Sequence, residues 1–498
     1  MVSNLSHALL RWIIPFSFVT SSVVFTTPLA LAGTTGIPTP ASSSAIELSL
    51  YGAVALGVSL LVSIVRRRRT AGAELGRVPF QDVASFTPLS TPVLPIRVGS
   101  TNRPRNSVLH VGKFYPPHMG GIETHLQVLC EGLRDAFDLS AIVSNDGATT
   151  VEEKIRGVAV ARLAAPLKVL SAPICPSMVH RIRASKAEIV HLHLPNPAAA
   201  AAWLASGSRG KLVVTYHSDI IRQKYVAKML EPILHAVLRR SAAIVVSSPE
   251  MIRYSPVLAE YRDKCHVIPF GIPLDQFTKC DPVSVREIRE TYGDRLILSA
   301  GRLVYYKGFE YLIRAMANVR GKLVIVGKGP LRPQLEELIA QAGVADKVTL
   351  LGNVPDLVPY YHASDIFALP SIARSEAFGI VQIEAMAAGI PVVNTNLETG
   401  VPYVSLHGQT GLTVPPSDEG ALASALNLLL DNQELRESMG RAARQRAYQE
   451  FVDTTMIERM TDLYEKVINP GSVGRPEPKQ TENTQAAIEV GRARGVSA

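Results

Sequence analysis

The stretch SIARSEAFGIVQIEAMAAGIPVV, Ser371–Val393, decides how this chain is read. Two glutamates, Glu376 and Glu384, stand eight residues apart across an Ala-Phe-Gly turn. Helical periodicity begins at about Gly379, which leaves Glu376 in the preceding loop and puts Glu384 in the first turns of a small-residue helix. A carboxylate in such a loop can accept hydrogen bonds from sugar hydroxyls. One on the helix can do the same for a ribose diol, while the free N–H groups at the helix start face an anion. Two solvated helix charges would give the same spacing, so the surrounding motifs have to decide.

Three further blocks accompany this one: PPHMGGIETHL at Pro116–Leu126, TYHSDI at Thr215–Ile220 and GRLVYYKGFEYLI at Gly301–Ile313. Gly120 and Gly121 close a loop and open a helix. Without a Cβ the backbone can approach a phosphate, and the helix start supplies N–H groups to it; an ordinary turn is the alternative. Arg302 and Lys307 follow an apolar run and are bracketed by Gly301 and Gly308. Two fixed cations there would stabilise a diphosphate gaining negative charge, without a metal; plain surface charge is the alternative. His217 follows the run Leu212–Tyr216, at the strand end where crevice residues of α/β sheets sit, with Asp219 close by. His191 and His193 form H-x-H, which puts both rings on one face if the strand reaches them. Zinc would need a third and fourth ligand. No companion cluster is evident in the sequence, so a structural or crevice-lining role is expected for this pair. Gly352-Asn353-Val354 ends another apolar run.

Short apolar runs alternate with helical segments from Ser107 onward: Val108–Val111, Leu139–Val143, Ile189–Leu192, Leu212–Tyr216, Ile244–Val246 and His266–Ile268. The alternation restarts at Leu296–Ala300 and continues through Leu323–Val326, Val348–Leu351, Ile366–Leu369 and Pro391–Val393. This predicts an α/β protein with two successive parallel sheets, each Rossmann-like. The expected N-terminal domain spans 106–272 and the C-terminal domain 273–450, joined through the proline-rich Pro269–Val283. A helix over 451–468 follows, and the polar tail 469–498 is expected to be disordered.

At 498 residues the chain exceeds one ordinary core. Its 47% hydrophobic content is high for a soluble enzyme because of the N-terminus, where Trp12–Ala32 and Ile46–Val65 are apolar. At ~1.5 Å per residue each is about long enough to cross a ~30 Å hydrocarbon core. Arg66–Arg69 follow the second run directly, and the positive-inside rule then puts everything after Val65 in the cytoplasm. Ala30-Leu31-Ala32 before Gly33 resembles a signal-peptidase site, so the first run is either a cleaved leader or a first transmembrane helix. Residues 1–70 are thus the expected membrane anchor, with one or two N-terminal transmembrane helices, and 71–105 the linker. The expected location is the cytoplasmic face of the inner or plasma membrane. Of the formal charge of +8, Arg66–Arg105 holds a net +6, where basic residues favour anionic headgroups. With no basic-aromatic pattern elsewhere, nucleic-acid binding is excluded. Cys130, Cys175, Cys265 and Cys280 form no C-x-x-C pair and read as reduced, mostly buried thiols.

In this order the four blocks resemble glycosyltransferase family 4, the retaining sugar-nucleotide transferases of GT-B fold, over about Asn106 to Ile468. The resemblance implies two Rossmann-like domains facing a cleft, with the acceptor on the first and the donor on the second. It places Gly120, Gly121, Arg302 and Lys307 at the donor phosphates, and the backbone of Gly352 and Val354 at the base. Glu384 would hold the ribose. Glu376, helped by the backbone amides of Phe378, Gly379, Ile380 and Val381, would hold the donor sugar. His217 would contact that sugar near the reacting centre, which makes His217 and Glu376 the implied catalytic pair, while Asp219 would serve the acceptor. The implied reaction moves a hexosyl group from a GDP- or UDP-linked sugar to a glycan or lipid-linked acceptor, with no cofactor and no metal, since no Asp-x-Asp pair appears. Helix 451–468 would cross back onto the first domain. A glycosidase using the two glutamates leaves Arg302 and Lys307 unexplained. A nucleotide-sugar epimerase of this architecture lacks the four-block set, and a non-catalytic scaffold has no need of His217 and Glu376 together. TYHSDIIRQK and NTNLETGVPYVSLHG look most like bacterial polysaccharide transferases, mannosyl types included.

Overall fold

Ser107–Val111 reads SVLHV and is buried at four of its five positions, as expected of a strand covered on both faces. It lies parallel to Asp138–Ser144 on one side and to Ile189–Leu194 on the other. These three are the centre of an eight-stranded sheet that continues outward through Lys211–Tyr216, Ala243–Val246 and Cys265–Val267. The opposite edge is made by Val158–Leu163 and then Val151–Ile155, the one antiparallel member. A computed structural model describes residues 105–471 except Met119, residues 170–171 and residues 220–223. Among the described residues no helix is long and apolar enough to cross a membrane. The apolar runs Trp12–Ala32 and Ile46–Val65, almost all of the linker and most of the tail lie outside the described residues.

A second sheet of six parallel strands follows, in the order Val348–Gly352, Lys322–Val326, Leu296–Ala300, Ile366–Leu369, Val392–Thr395, Gly411–Val414. Apolar clusters cover both of its faces, and two others cover the first sheet. Strands with fully apolar runs were legible, and most of the expected runs match observed strands to within a residue or two. Val151–Ile155, VEEKI, was not expected. Its exposed edge position lets it carry charge, which erases the apolar signal.

The chain passes between the two sheets twice, at adjacent points. Ile272 donates its N–H to the Phe451 carbonyl at 3.0 Å, and Asp453 donates to the Ile272 carbonyl at 3.1 Å. Gly271 makes this closeness possible, because an added Cβ there would lie 2.6 Å from the Val452 carbonyl oxygen. After the second crossing, helix Asp453–Ile468 buries Met456, Ile457, Met460, Leu463 and Tyr464. These residues join the core of the first sheet, and Ile457 seats directly on Gly132 of helix Gly121–Leu133.

Candidate functional site

Strand Leu296–Ala300 ends at Gly301, whose φ of +149° turns the chain sharply. A one-turn helix, Tyr305–Lys307, follows. Gly308 then crosses so close to the Pro370 carbonyl that any Cβ would collide with it, and its φ of +64° suits glycine as well. This crossing fastens the Lys307 loop to the Glu376 loop, and the N–H of Ile372 donates to the Tyr306 carbonyl at 2.8 Å. The two side chains therefore meet. Lys307 Nζ lies 2.6 Å from Glu376 Oε2, each side chain about one-tenth exposed. Ser371 Oγ donates to the same carboxylate oxygen at 3.0 Å. The sequence assigned these residues separate tasks and gave no sign that they pair. Arg302, by contrast, is exposed and has no ion pair among the described residues.

Helix Ile380–Ala388 starts where periodicity predicted, with Gly379 at φ +75° as its N-cap. Its first turn points at the start of helix Gly121–Leu133 in the other domain: a Cβ on Gly121 would lie 3.6 Å from Ile380 Cδ1. Two helix N-termini thus lie in close contact at the domain junction, each with free N–H groups and a positive dipole end. An anion between them would be held from both sides. The Gly120 loop is itself braced by Arg162, which is buried. It donates to the carbonyl of Tyr115 at 2.9 Å and to that of Pro116, and pairs with Glu153. Sequence reasoning missed Arg162 because it missed the strand that carries it.

Glu384 sits on the helix's second turn and accepts a hydrogen bond from the Tyr361 hydroxyl at 2.7 Å. Burial raises its carboxyl pKa, opposed by that hydrogen bond and by the Lys307 charge. Gly352 ends its strand with φ +82° beside Lys328 and Arg332, and Val354 is half-buried just beyond it. Phe378 turns its ring into the domain junction. It packs edge-to-face on Phe270 at 5.0 Å and on Phe451 at 5.9 Å, so its side chain is structural and only its backbone belongs to the cleft loop.

His217 is buried against Phe270, ring centroids 5.3 Å apart, and its Nδ1 has no partner among the described residues. The expectation that H-x-H lacks companions is corrected here. Strand pairing sets His110 opposite His191 and Thr215 opposite His193, so imidazoles from neighbouring strands share one face. His110, His191 and His193 form one close triad, and His125, His193 and His217 another, each with ligand atoms within 4.8 Å. Residues so far apart in the chain gave no spacing signal. Burial lowers all five pKa values, to about 3 for His110 and His125, keeping the rings neutral at pH 7. Asp219 is also occupied. It accepts from Tyr216 and Ser255 hydroxyls at 2.7 Å each and pairs at 3.0 Å with Arg374 from the other domain. Beside it lies a cavity of about 500 Å³ lined by Leu194, Pro195, Ala200, Tyr216, Leu234 and Arg374, among others.

Residues 119–276 match the model of Glycosyltransferase Family 4, and residues 284–446 that of Glycosyl transferases group 1. The chain is 34% identical to the D-rhamnosyltransferase WbpZ of Pseudomonas aeruginosa over 350 residues, covering 69% of this chain and 92% of that one. It is 30% identical to the GDP-mannose-dependent alpha-(1-6)-phosphatidylinositol monomannoside mannosyltransferase of Mycolicibacterium smegmatis, covering 72% and 97% of the two chains. The crystal structure of Anabaena Alr3699/HepE superposes with a TM-score of 0.60 at 20% identity, over 72% of this chain and all of that one, which supports a GT-B arrangement of the two sheets. Motif, architecture and relatives agree: the chain is an enzyme of glycosyltransferase family 4.

Proposed function

We propose that this enzyme transfers a hexosyl group, with retention, from a nucleotide sugar to a hydroxyl of a glycan or lipid-linked acceptor in cell-surface polysaccharide or glycolipid synthesis. The observation that carries the reading is the buried Lys307–Glu376 pair, in the loop that leads into one of two helix N-termini in close contact at the domain junction. The donor diphosphate lies between those helix starts, with Arg302 and Lys307 as its cations and Gly120 and Gly121 allowing close approach. As the leaving diphosphate gains charge, these groups stabilise it without reorganising. Glu376 binds sugar hydroxyls with the amides of Gly379, Ile380 and Val381, while Glu384 takes the ribose and the Gly352–Val354 backbone the base. His217 supplies a hydrogen bond to the sugar near the anomeric carbon. Metal is not required, because fixed cations and helix ends do its work.

The acceptor enters from the cavity beside Asp219, whose largely apolar lining suits an acceptor with an apolar part. The relative that mannosylates phosphatidylinositol monomannoside uses GDP-mannose by its name, which makes GDP-mannose the first donor to try. Residues 1–70 tether the enzyme to the cytoplasmic membrane face, where a lipid-linked acceptor would be concentrated. The test is nucleotide release from GDP-, UDP- and dTDP-sugars by the full chain in bacterial membranes, with EDTA in a parallel arm. Acceptor-dependent release with one donor, unaffected by EDTA, is expected. Release that does not depend on acceptor, or that EDTA abolishes and Mg²⁺ restores, would overturn the reading.

A further inference from the structure

Thr215, His191, Tyr464, His110, His193 and His217 make one continuous run of hydrogen bonds through the buried first sheet. Thr215 Oγ1 lies 2.7 Å from His191 Nε2. His191 Nδ1 meets the Tyr464 hydroxyl, which also contacts His110 Nε2 at 3.3 Å. His110 Nδ1 is 3.1 Å from His193 Nε2, and His193 Nδ1 is 3.1 Å from His217 Nε2. All six residues are buried. A neutral imidazole has one N–H and one lone pair, and a hydroxyl has a single hydrogen. Each link therefore dictates the next.

The two ends of the run together decide its direction. Among the described residues, His191 Nε2 is the one hydrogen-bond partner of Thr215 Oγ1, and a hydroxyl hydrogen turned away from it would be stranded in the buried sheet, whereas at the other end a ligand hydroxyl can complete His217 Nδ1. His191 then carries its proton on Nδ1 and donates to the Tyr464 oxygen. Tyr464 is left to donate to His110 Nε2. His110 Nδ1–H donates to His193, and His193 Nδ1–H donates to His217 Nε2. His217 is left with its proton on Nδ1, the atom without a protein partner.

We propose that this one-way chain locks His217 as the Nδ1–H tautomer, so that it offers the bound sugar a hydrogen-bond donor and never a base. The direction of the run and its consequence for the donor sugar both rest on the site reading above, in which the sugar meets His217 Nδ1. Tyr464 and Thr215 are positioning residues, one on the helix that crosses back from the second domain and one on the strand Lys211–Tyr216 that leads into His217. No proton leaves the chain during the reaction. The side chain supplies a fixed dipole, which leaves proton removal from the acceptor to another group, consistent with attack assisted from the leaving-group side.

The test uses the full chain labelled with ¹⁵N-histidine and two-bond ¹H–¹⁵N correlation spectra, which identify the protonated nitrogen of each ring. Nδ1 protonation is expected for His110, His191, His193 and His217. Tyr464→Phe removes the hydroxyl that transmits direction. His217 should then show both tautomers, and kcat should fall about two- to tenfold with KM for the donor unchanged. Thr215→Val acts at the head of the chain with little change of shape and should give the same mixture, while Thr215→Ser should restore the single tautomer. A wild-type His217 protonated on Nε2 would overturn the proposal. So would variants that leave the spectrum unchanged, or a stoichiometric metal ion on these nitrogens. The expected tautomers in a protein that transfers no sugar would sink the activity reading and leave the chain intact.

Discussion

The two domains share one architecture and bury opposite kinds of polar group. The first buries five neutral imidazoles, of which His110, His193 and His217 hydrogen-bond to one another. The second buries a charged pair, Lys307 and Glu376, at the cleft edge, with amide and hydroxyl contacts behind it such as Asn394 to Gln382 at 2.9 Å and Ser299 to the Ala368 carbonyl at 2.6 Å. Neutral rings in a dry interior cost little once hydrogen-bonded and can transmit direction. Buried charges are expensive to desolvate and are retained where a field is needed. On the function proposed above, the first domain would supply orientation and the second charge.

The largest effect expected from this contrast comes from removing the charge. Glu376→Gln and Lys307→Met should each lower kcat by on the order of 10²–10³. Polar or apolar replacements of similar size limit the cost of leaving one partner buried alone. Thermal unfolding of each variant, measured beside donor-nucleotide release, separates lost chemistry from lost fold. Near-wild-type turnover in a folded variant would show that the pair is structural, and the contrast between domains would collapse.

How much of this could be read beforehand differs between the domains for the same reason. The second domain's site lies in two short stretches, Gly301–Gly308 and Ser371–Ala388, so local motifs singled out Lys307, Glu376 and Glu384, although nothing in the spacing showed that Lys307 and Glu376 pair. The first domain's polar core is assembled from His110, His125, His191, His193, Thr215 and Tyr464, which meet only through strand register and the returning helix. Register between distant strands leaves no periodic trace. The ion pair of Asp219 was hidden for a related reason: its partner, Arg374, sits in plain view in the glutamate block, yet only the fold brings the two together.

A second, smaller effect distinguishes the domains by pH. Burial holds His110 and His125 neutral, with pKa values lowered to about 3. The unfolded chain therefore binds more protons than the folded one as pH falls below the ordinary value of 6.5. Stability from this source is complete above that value and is lost progressively towards about 3, at ~1.4 kcal/mol per pH unit for each ring. In urea titrations the midpoint should drop sharply between pH 7 and 5.5. His125→Phe should blunt the drop, since both His125 nitrogens lack partners and its ring already packs on Phe270 at 4.4 Å. The described residues of the second domain include no fully buried histidine, and burial raises the Glu384 carboxyl pKa, which favours the fold as pH falls, so its unfolding should lack this acid-side drop. An equal acid response in both domains would remove the distinction.

The smallest effect tests the seam between them. Arg374 reaches from the glutamate loop to Asp219 at 3.0 Å and to the Tyr254 carbonyl at 2.9 Å, with Glu398 at 3.9 Å. Its side chain is one-third exposed and that of Asp219 about one-sixth, so solvent screens the pair and its coupling should be ~1 kcal/mol or less. The bridge nevertheless spans the cleft next to Glu376, and its loss should loosen closure more than it weakens either fold. Arg374→Ala is expected to raise donor KM a few-fold, with kcat and melting temperature close to wild type. Asp219→Asn should do the same, and the double variant should add little, because both remove one contact. If the two changes instead add fully, Arg374 and Asp219 act on separate ligands. Orientation and charge would then be joined through the substrate, not through this bridge.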